Sequence, residues 1–216
     1  MPTRDTVLTA LVDAIPDPRS LDCVLVAVDG VDAAGKTIFA DALAPALRNA
    51  GRAAIRISID DFHNSSVVRH QRGRQSPEGF WLDSYNYERF TCDVLVPLGP
   101  GGSRRYRPKA YDLRTDADIR MEDRQAPPGC VVIIDGLFLH RDELHDRWNF
   151  SVFLDVPFEI TARRMATRDG MHPDPDHIGM RRYVDGQRLY LQHCDPRSRA
   201  SVVVDNSDPD EPRVIG

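Results

Sequence analysis

The segment at positions 30–37 constrains the fold more than any other, because its letters GVDAAGKT match the pattern G-x-x-x-x-G-K-[ST]. A continuous apolar run at 23–28 precedes it, and an amphipathic stretch at 37–49 follows it. An apolar run without polar alternation is typical of a strand buried on both faces of a parallel sheet. A buried strand, a glycine-containing turn and a helix in this order predict a phosphate-binding loop, the P-loop.

The residue types of this loop indicate how it would hold a nucleotide. Its glycines let the backbone curl so that several N–H groups point at one phosphate, and the helix that follows directs its positive end at the same anion. Lys36 is expected to reach the β- and γ-phosphate oxygens and to act in catalysis, and the Thr37 hydroxyl is expected to bind Mg²⁺. A flexible glycine loop without a ligand is the alternative. The predicted nucleotide-binding residues are Gly30, Val31, Asp32, Ala33, Ala34, Gly35, Lys36 and Thr37.

The rest of the 216-residue chain alternates between strand and helix patterns. Strands are predicted at 53–59, 131–134, 151–154 and 202–204, and helices at 5–15, 87–98, 158–168 and from after the loop at 170–177 to about 193. This alternation predicts an α/β fold, a three-layer sandwich in which a five-stranded parallel sheet, ordered 2-3-1-4-5, lies between helices. The polar segment at 63–77 is predicted to be a mobile loop. A chain of this length fits one such domain.

Composition and charge exclude several classes of protein. The net charge of −5 argues against a nucleic-acid-binding protein, which usually carries a basic face. No apolar run approaches the roughly 18–20 residues that a membrane span needs, and charged residues interrupt the N-terminal segment, unlike a signal peptide. A cytoplasmic protein without membrane or nucleic-acid partners is therefore expected. The four cysteines form no C-x-x-C pair and are predicted to be reduced residues in or near the core, with neither a zinc site nor a disulfide framework.

Acidic residues fall where predicted strands end, which is the edge of a parallel sheet at which ligands gather. Asp135 closes the apolar run at 131–134 and is predicted to hold Mg²⁺, directly or through a water; a cap on the turn that follows is the alternative. Asp60 and Asp61 follow the second strand, where a carboxylate can accept the proton of an attacking hydroxyl; an Asx-turn or a helix cap is the alternative. Asp29 is expected only to orient the P-loop.

Two arginines are predicted to close over the phosphates and to act in catalysis. Arg164 and Arg168 are four positions apart on a predicted helix and so share one face. A lid at approximately 169–178 is expected to follow them. Such a lid excludes water, and guanidinium groups stabilise the charge on the γ-phosphoryl oxygens. Ordinary surface charge on the helix is the alternative for each arginine.

Several of these segments together resemble the uridine kinase and phosphoribulokinase group of P-loop kinases. The segments that carry the resemblance, which spans roughly 23–205, are 30–37, 58–63, 111–112, 134–136 and 155–169. It implies a single P-loop kinase domain over 1–216, with an acceptor-binding insert at approximately 62–125. It also implies an enzyme that uses ATP and Mg²⁺ to phosphorylate a hydroxyl of a small-molecule acceptor, foremost the 5′-hydroxyl of uridine or cytidine.

The resemblance also assigns roles to single residues. Asp60 matches the acid that activates the nucleoside 5′-hydroxyl, and His63 stands where such kinases place a tyrosine against the base. Tyr111 matches an aromatic residue of the nucleoside pocket, and Asp83 the acid that grips the ribose hydroxyls. The chain departs from the family pattern at Asp135, which replaces the commoner glutamate. It departs again after Tyr111, where the letters DLRTD contain no pyrimidine-recognising histidine.

Other functions stay open at this stage. Pantothenate, nicotinamide riboside and sugar kinases share the same scaffold. A regulatory protein that hydrolyses its nucleotide and a non-catalytic nucleotide-binding module are alternatives from other classes, although the N-K-x-D guanine motif of GTPases is missing from the sequence. The sequence does not decide between ATP and GTP as the donor, nor whether the chain forms a homo-oligomer.

Overall fold

Helices and strands alternate along the chain, as the apolar patterns predict. The computed structural model describes residues 3–19 and 21–216. In chain order the elements are α1 (Arg4–Ala14), β1 (Val24–Gly30), α2 (Lys36–Asn49), β2 (Ala54–Ser58), α3 (Ser66–Arg69), α4 (Pro77–Asp83), α5 (Tyr87–Phe90), α6 (Val96–Leu98), β3 (Arg105–Tyr106), β4 (Tyr111–Asp112), β5 (Ala117–Asp118), β6 (Arg124–Gln125), β7 (Val131–Asp135), β8 (Phe150–Asp155), α7 (Phe158–Asp169), α8 (Arg181–Cys194), α9 (Pro196–Arg199), β9 (Val202–Asp205) and β10 (Arg213–Val214). A 3₁₀ turn at Ile59–Phe62 and a π-helical turn at Thr91–Leu95 connect neighbouring elements.

The central sheet has six strands in the order β10-β9-β8-β1-β7-β2. Five of the described strands run parallel in this sheet, and β10 runs antiparallel at the edge beside β9. Numbered by their place in the chain, the parallel strands have the order 2-3-1-4-5, which confirms the prediction. The α/β fold class is confirmed too. The added edge strand β10 has only two residues, Arg213 and Val214, too few to leave a strand pattern in the sequence.

The alternation of side chains along each strand divides the core into two layers. On one face of β1, Val24, Val26 and Val28 pack with α1 and α2. On the other face, Leu25 and Ala27 belong to a cluster rich in aromatic rings that includes residues of α4, α5 and α8. All seven residues of β1 are buried, as expected for a strand covered on both sides. The carboxyl end of β1, from which the P-loop starts, is therefore held from both layers.

The helix that follows the P-loop is held by its predicted apolar stripe. Phe39, Leu43 and Leu47 of α2 are buried in the core beneath the sheet. Burial of a side chain of this size contributes about 1.5–3 kcal/mol relative to exposure. Because three such side chains fix α2, its first residue, Lys36, keeps a constant place at the edge of the sheet.

The segment at 63–77, predicted to be a loop, contains more structure than expected. It includes α3, and α4 begins at its last residue, Pro77. The side chains of Ser65 and Ser76 each accept a hydrogen bond from a backbone N–H of the first helical turn, so both helices have a serine N-cap. The loop prediction is wrong for these helices, because the polar composition concealed the caps.

The helix predicted at 87–98 is confirmed, but its hydrogen-bond pattern changes within its length. The π-helical turn at Thr91–Leu95 joins α5 to α6. Pro97 has no N–H group to donate to the carbonyl of Asp93, and that carbonyl accepts from Arg107 N at 3.0 Å instead. The missing donor accounts for the wider turn.

Two expectations from composition bear on the surface of the molecule. Three of the four cysteines, Cys23, Cys130 and Cys194, are buried free thiols. Cys92 is exposed, so the prediction that it lies in or near the core is wrong. The exposure of Cys92 follows from its place on the outer side of the π-helical turn. Within the described residues, no helix combines the length and the apolar character that crossing a membrane requires.

Candidate active site

The P-loop at 30–37 leaves β1 and enters α2 along a backbone path that two glycines permit. Gly30 and Gly35 have φ angles of 152° and 94°. A Cβ at Gly30 would lie 2.7 Å from the carbonyl oxygen of Leu154, and a Cβ at Gly35 would lie 2.7 Å from Nδ2 of Asn206. The contact at Gly30 is with backbone and cannot be relieved by a side-chain movement, and the positive φ angles at both positions disfavour any residue with a Cβ, so the path of the loop favours glycine at both.

Buried polar groups hold the P-loop from behind. Asp29, which is 0% exposed, accepts a hydrogen bond from Gly30 N at 2.7 Å through Oδ1. Its Oδ2 accepts from His140 Nδ1 at 2.8 Å and from the Tyr190 hydroxyl. Burial raises the pKa of Tyr190 well above its ordinary value, so this hydroxyl stays a donor. Asp29 therefore orients the loop, and His140 and Tyr190, which no sequence pattern singled out, complete its anchor.

Lys36 and Thr37, at the start of α2, have different partners. Lys36 Nζ donates to the carbonyl oxygen of Val31 at 2.8 Å, across the loop. Thr37 Oγ1 donates to Asp135 Oδ2 at 3.0 Å, at the carboxyl end of β7. The Lys36 ammonium thus spans the loop that is predicted to hold the phosphates, and the two predicted metal ligands contact each other.

Asp135 is 1% exposed and forms an ion pair with Arg56 of β2. Arg56 donates to Oδ1 through Nε and to Oδ2 through Nη2, both at 3.0 Å. Its Nη1 donates to Asp41 at 3.0 Å. Burial raises the pKa of Asp135, while Arg56 and Thr37 favour its ionised form. Sequence analysis missed Arg56, although a charged residue inside the apolar strand β2 was a signal.

The Thr37 hydroxyl and the Asp135 carboxylate suit a magnesium ion. Both offer oxygen atoms, and Mg²⁺ at a phosphate site takes few protein ligands beside phosphate oxygens and waters. Elsewhere in the part of the chain that the structure describes, no group of three or more His, Cys, Asp or Glu residues is arranged to hold a metal. Because the Arg56 guanidinium already bonds to both oxygens of Asp135, this carboxylate suits a magnesium-bound water better than direct binding of the ion.

Asp60 lies beyond the carboxyl end of β2, in the 3₁₀ turn at Ile59–Phe62. Ser58 Oγ caps this turn by accepting a hydrogen bond from Asp60 N at 3.3 Å. Asp60 is exposed, and its Oδ1 accepts from the Tyr85 hydroxyl at 2.6 Å. His63 Nδ1 lies 2.7 Å from the Asp60 carbonyl oxygen, and the His63 and Tyr85 rings are 4.5 Å apart. Asp60, His63 and Tyr85 thus form one contacting group.

A cleft of about 760 Å³ brings the P-loop and Asp60 together. Its volume falls in the usual range of small-molecule sites, roughly 300–1,000 Å³. The charged and polar side chains that border it are those of Asp32, Lys36, Thr37, Asp60, His63, Arg164 and Arg168. The apolar and aromatic side chains that border it are those of Ile38, Phe80, Tyr85, Leu113, Leu137 and Tyr183. The cleft therefore combines cations suited to phosphates with surfaces suited to an organic acceptor.

Arg164 of α7 joins the P-loop to the segment that follows β9. It donates to the carbonyl oxygens of Ala33, Asn206 and Ser207 at 3.2, 3.1 and 2.9 Å. Burial lowers the pKa of Arg164. Since three carbonyl groups hold this guanidinium, Arg164 fixes the shape of the loop as well as bordering the cleft.

Arg168, one turn further along α7, is more exposed than Arg164 and bonds to carboxylates. It donates to both carboxylate oxygens of Asp169 and to Asp32 Oδ1 at 3.1 Å, and the hydrogen bond to Asp169 raises its pKa. Its side chain is 56% exposed. The backbone N–H of Asp32 in turn donates to Gln187 of α8, so the P-loop is also tied to that helix. Arg168 is therefore the arginine with freedom to turn toward a bound phosphate.

The predicted ribose-binding residue Asp83 does not border the cleft in the described part of the chain. It is the last residue of α4, and its Oδ2 accepts a hydrogen bond from Arg72 Nε at 3.0 Å. Beyond it the chain forms an antiparallel bridge between Tyr85 and His63, from which the Tyr85 hydroxyl reaches Asp60. Because the helix ends at Asp83, it is Tyr85 that enters the site. The sequence offered Tyr85 only as a ring that could stack a planar acceptor or belong to the core, and it did not predict the hydrogen bond to Asp60.

Tyr111 also bonds within the predicted insert and lies outside the described border of the cleft. Its hydroxyl donates to Asp116 Oδ1 at 2.5 Å, and Asp116 accepts further hydrogen bonds from Ser66 and Arg69. Burial raises the pKa of Tyr111 to about 12, and the Asp116 contact acts in the same direction. Leu113, in the turn between β4 and β5, borders the cleft instead. Asp116, in the stretch without the family histidine, therefore organises the insert.

Curated kinases are similar to this chain over most of its length, although no family model matches it. The uridine kinase of Shewanella piezotolerans is 27% identical over 195 residues, which cover 86% of this chain and 88% of that protein. Nicotinamide riboside kinase 1 of Mus musculus is 30% identical over 175 residues, which cover 78% of this chain and 77% of that protein. Among solved structures, a possible uridine kinase from Bacillus stearothermophilus superimposes with a TM-score of 0.71 at 22% identity, covering 93% of this chain and 96% of that one.

The match to the solved structure, at 22% identity, shows a shared fold, whereas the 30% identity to a curated relative shows membership of a family. A relative that is 30% identical over more than three quarters of both chains shares descent as well as architecture. Both curated relatives carry the name of a kinase with a nucleoside-like acceptor. The chain therefore belongs to the uridine kinase and phosphoribulokinase-like family of P-loop kinases.

Proposed function

We propose that the chain transfers the γ-phosphoryl group of ATP to a hydroxyl of a nucleoside, with the 5′-hydroxyl of uridine or cytidine as the first candidate. The observation that carries this proposal is the shared cleft, in which Asp60 meets Lys36 and Thr37 of the P-loop. A kinase needs this arrangement, because the proton acceptor of the hydroxyl and the triphosphate must meet at one phosphorus atom. A protein that only hydrolyses nucleotide would need no aromatic surface beside that carboxylate.

On the donor side, the backbone N–H groups of 30–37 and the Lys36 ammonium hold the triphosphate. Lys36 exchanges its contact with the Val31 carbonyl for the β- and γ-phosphate oxygens. Thr37 and Asp135 would hold Mg²⁺, which supplies neutralisation of the charge on the phosphates. The donor side thus depends on groups that the strand, turn and helix already bring together.

Arg164 and Arg168 have different roles on the donor side. Arg168 turns from Asp32 toward the γ-phosphoryl group, whereas Arg164 keeps the P-loop attached to the segment after β9. A donor that is aimed at the transferring group in a closed site is worth about 10²–10³-fold in kcat. The larger catalytic effect is therefore assigned to Arg168.

Asp60 accepts the proton of the attacking hydroxyl. As the bond between that oxygen and the γ-phosphorus forms, the proton moves to the carboxylate. The bond between the γ-phosphorus and the bridging oxygen breaks, and ADP leaves with the electron pair. Asp60 is exposed, so the carboxylate can release its proton to water before the next turnover.

The acceptor side of the cleft supports a planar organic acceptor. Phe80, Tyr183 and Leu137 offer apolar surfaces on which a base can stack. Burial lowers the pKa of His63, which favours its neutral form; Nδ1 donates to the Asp60 carbonyl oxygen, so Nε2 is left to accept a hydrogen bond. A neutral imidazole beside aromatic rings fits the polar edge of a base better than it fits a phosphate or a carboxylate.

Nicotinamide riboside is the second candidate acceptor. The stretch at 113–116 contains no histidine for pyrimidine recognition, and its Asp116 is occupied by Tyr111. The relative that is 30% identical is named for nicotinamide riboside. Aromatic rings such as those of Phe80 and Tyr183 also attract a cationic ring.

A panel of acceptors tests the proposal. ADP release would be measured with ATP and Mg²⁺ in the presence of uridine, cytidine, nicotinamide riboside, pantothenate or a simple sugar, and with no acceptor. We expect uridine or cytidine to raise ADP release well above the rate without acceptor. Release with nicotinamide riboside alone would favour the second candidate. Equal rates with every acceptor and with none would contradict a kinase function.

The role of Asp60 is tested with a neighbouring carboxylate as the control. Asp60→Asn should lower kcat about 10²–10⁴-fold, the usual contribution of a positioned general base, and leave the KM for ATP nearly unchanged. Asp61 pairs with Lys109 at 3.0 Å, away from the cleft, so Asp61→Asn should keep most of the activity. Equal losses in the two variants would contradict the assignment of Asp60.

A further inference from the structure

Tyr85 is held against Asp60 by the backbone as well as by its hydroxyl. The residue is 2% exposed, and its hydroxyl lies 2.6 Å from Asp60 Oδ1. Tyr85 pairs with His63 in an antiparallel bridge, and the next residue, Asn86, donates from its N–H to the carbonyl oxygen of Phe62 at 2.8 Å. Because the segment that Tyr85 is bonded to also carries Asp60, the phenol and the carboxylate keep a fixed relative position.

In the hydrogen bond between Tyr85 and Asp60, the phenol is the donor and the carboxylate is the acceptor. Burial raises the pKa of Tyr85 well above its ordinary value, and the charge of Asp60 raises it further. A phenol that stays protonated can only donate to a carboxylate. Among the described residues, no other side chain donates to the oxygens of Asp60. Oδ1 therefore already accepts one hydrogen bond, and Oδ2 is the less engaged oxygen that can accept a proton.

We propose that Tyr85 is a positioning residue for phosphoryl transfer, whose hydroxyl holds Oδ1 of Asp60 so that Oδ2 faces the hydroxyl of the acceptor. The inference rests on the proposed kinase function and goes beyond it in naming the oxygen that reacts and the group that selects it. Asp60 Oδ2 takes the proton of the acceptor hydroxyl while the new oxygen–phosphorus bond forms and ADP leaves. Tyr85 keeps its own proton throughout, so it exchanges nothing with the substrates.

The hydrogen bond also fixes the rotation of the Asp60 carboxylate. With Oδ1 held by the Tyr85 hydroxyl, the carboxylate keeps one orientation. Without that donor, its two oxygens rotate freely. A purely structural tyrosine would not act through this carboxylate, so kcat and KM measured with and without the Asp60 side chain separate the two roles.

Tyr87 provides a matched control. Its ring packs edge-on against Tyr85 with centroids 6.0 Å apart, and the guanidinium carbon of Arg141 lies 4.0 Å from its centroid. Its buried hydroxyl has no hydrogen-bond partner within the described residues. Tyr87→Phe therefore removes the same atom from the same aromatic group without touching Asp60.

The test compares Tyr85→Phe and Tyr87→Phe in the intact protein, with the acceptor that the panel identifies. We expect Tyr85→Phe to lower kcat about tenfold, the effect of one hydrogen bond to a charged group, with little change in the KM of either substrate. Tyr87→Phe should match the wild type in both measurements. In an Asp60→Asn background, Tyr85→Phe should cause no further loss, because the group on which it acts is gone.

Several results would overturn the inference. Tyr85→Phe and Tyr87→Phe could show the same kcat, or the losses from Tyr85→Phe and Asp60→Asn could multiply. A raised acceptor KM with unchanged kcat would make Tyr85 a substrate contact and not a positioning residue. If no acceptor raises ADP release in the wild type, the proposed function is wrong and the inference about Tyr85 is wrong too. That result differs from an active wild type in which Tyr85→Phe leaves kcat unchanged, which would contradict the inference alone.

Incorporation of 3,5-difluorotyrosine at position 85 tests the same bond without removing it. The fluorines make the phenol a stronger donor while the ring keeps its packing. The kcat should then stay close to the wild-type value, unlike the tenfold loss expected for Tyr85→Phe. A tenfold loss of kcat in the fluorinated protein would overturn the inference even if Tyr85→Phe failed to fold.

Discussion

Arg56 shows how one charged residue in an apolar strand can hold a site together. Its guanidinium bonds to both oxygens of Asp135, which is 1% exposed. A buried carboxylate without a partner is costly, because the interior solvates its charge poorly. Arg56 therefore favours the ionised form of Asp135 against the effect of burial and holds it beside Thr37, which is the state that a metal-binding role requires.

Replacing Arg56 by methionine should destabilise the protein through Asp135. We expect Arg56→Met to lower the free energy of unfolding by about 2–4 kcal/mol, around the lower end of the range for breaking a buried pair. The lower end applies because the Arg56 side chain is itself 27% exposed. Urea denaturation at neutral pH measures the loss.

The double variant Arg56→Met/Asp135→Asn isolates the buried charge. An amide at position 135 needs no countercharge, so the second change should restore most of the lost stability. Asp41→Asn serves as the control for the other arm of Arg56, and it should cost less than about 1 kcal/mol because that pair is exposed. Equal stability of the single and double variants would show that the charge of Asp135 is not the cause.

The residues that the sequence could assign are those with a local signal. Lys36 and Thr37 belong to one motif between a strand and a helix, and Asp60 follows a strand end, so each could be placed in the cleft from its neighbours in the chain. Tyr85 and Arg56 act on partners 25 and 79 positions away. No periodicity or spacing encodes such contacts, because the fold as a whole brings them together.

Among the elements, the packing of α4 on α8 shapes the acceptor side of the cleft. Phe80 of α4 and Tyr183 of α8 both border the cleft, with ring centroids 5.0 Å apart. Gly186 of α8 permits this approach, because a Cβ there would lie 2.7 Å from the carbonyl oxygen of Pro77 and 3.0 Å from Cδ1 of Phe80. A glycine inside a helix costs about 1 kcal/mol relative to alanine, so Gly186 lowers the stability of α8 while it permits the close approach of α4.

Gly186→Ala should disturb the acceptor side while leaving the donor side intact. The gain in helix propensity, about 1 kcal/mol, is set against about 1–3 kcal/mol for overpacking, so we expect a net loss of stability of up to about 2 kcal/mol. The KM for the acceptor should rise more than the KM for ATP, because α4 must move. Gln192→Ala, at an exposed position of the same helix, is the control. A stabilised Gly186→Ala variant with an unchanged acceptor KM would contradict this account of the helix contact.

Helices and strands were predictable from the sequence where their apolar pattern extends over many residues. α2 and α8 have 14 residues each and show several turns of periodicity, and the apolar runs of β1 and β7 are continuous. The elements that sequence analysis missed are short; among them, α3, α4 and β10 have 4, 7 and 2 residues. Two helical turns or fewer contain too few positions to define a period, so tertiary packing decides their conformation.

For the whole molecule, the P-loop is the point at which distant parts of the chain meet. Asp29 ties it to Tyr190 of α8, and Asp32 ties it to Gln187 of the same helix. Arg164 of α7 bonds to it and to the segment after β9. A ligand that binds the loop therefore stabilises contacts that extend through both layers around the sheet, and its binding energy should appear in the stability of the whole chain.

Thermal unfolding with and without ATP measures that connection and separates the two halves of the site. At about 100 times its Kd, ATP should add about 2.7 kcal/mol to the free energy of unfolding. For a chain of this size this corresponds to a rise in Tm of roughly 5–10 °C. Asp60→Asn should keep the full rise, since Asp60 is assigned to the acceptor, whereas Lys36→Met should lose most of it at the same ATP concentration, since its ammonium is assigned to the phosphates. An equal rise in Lys36→Met and the wild type would mean that the backbone N–H groups alone hold the triphosphate, and the assigned role of Lys36 in nucleotide binding would be wrong.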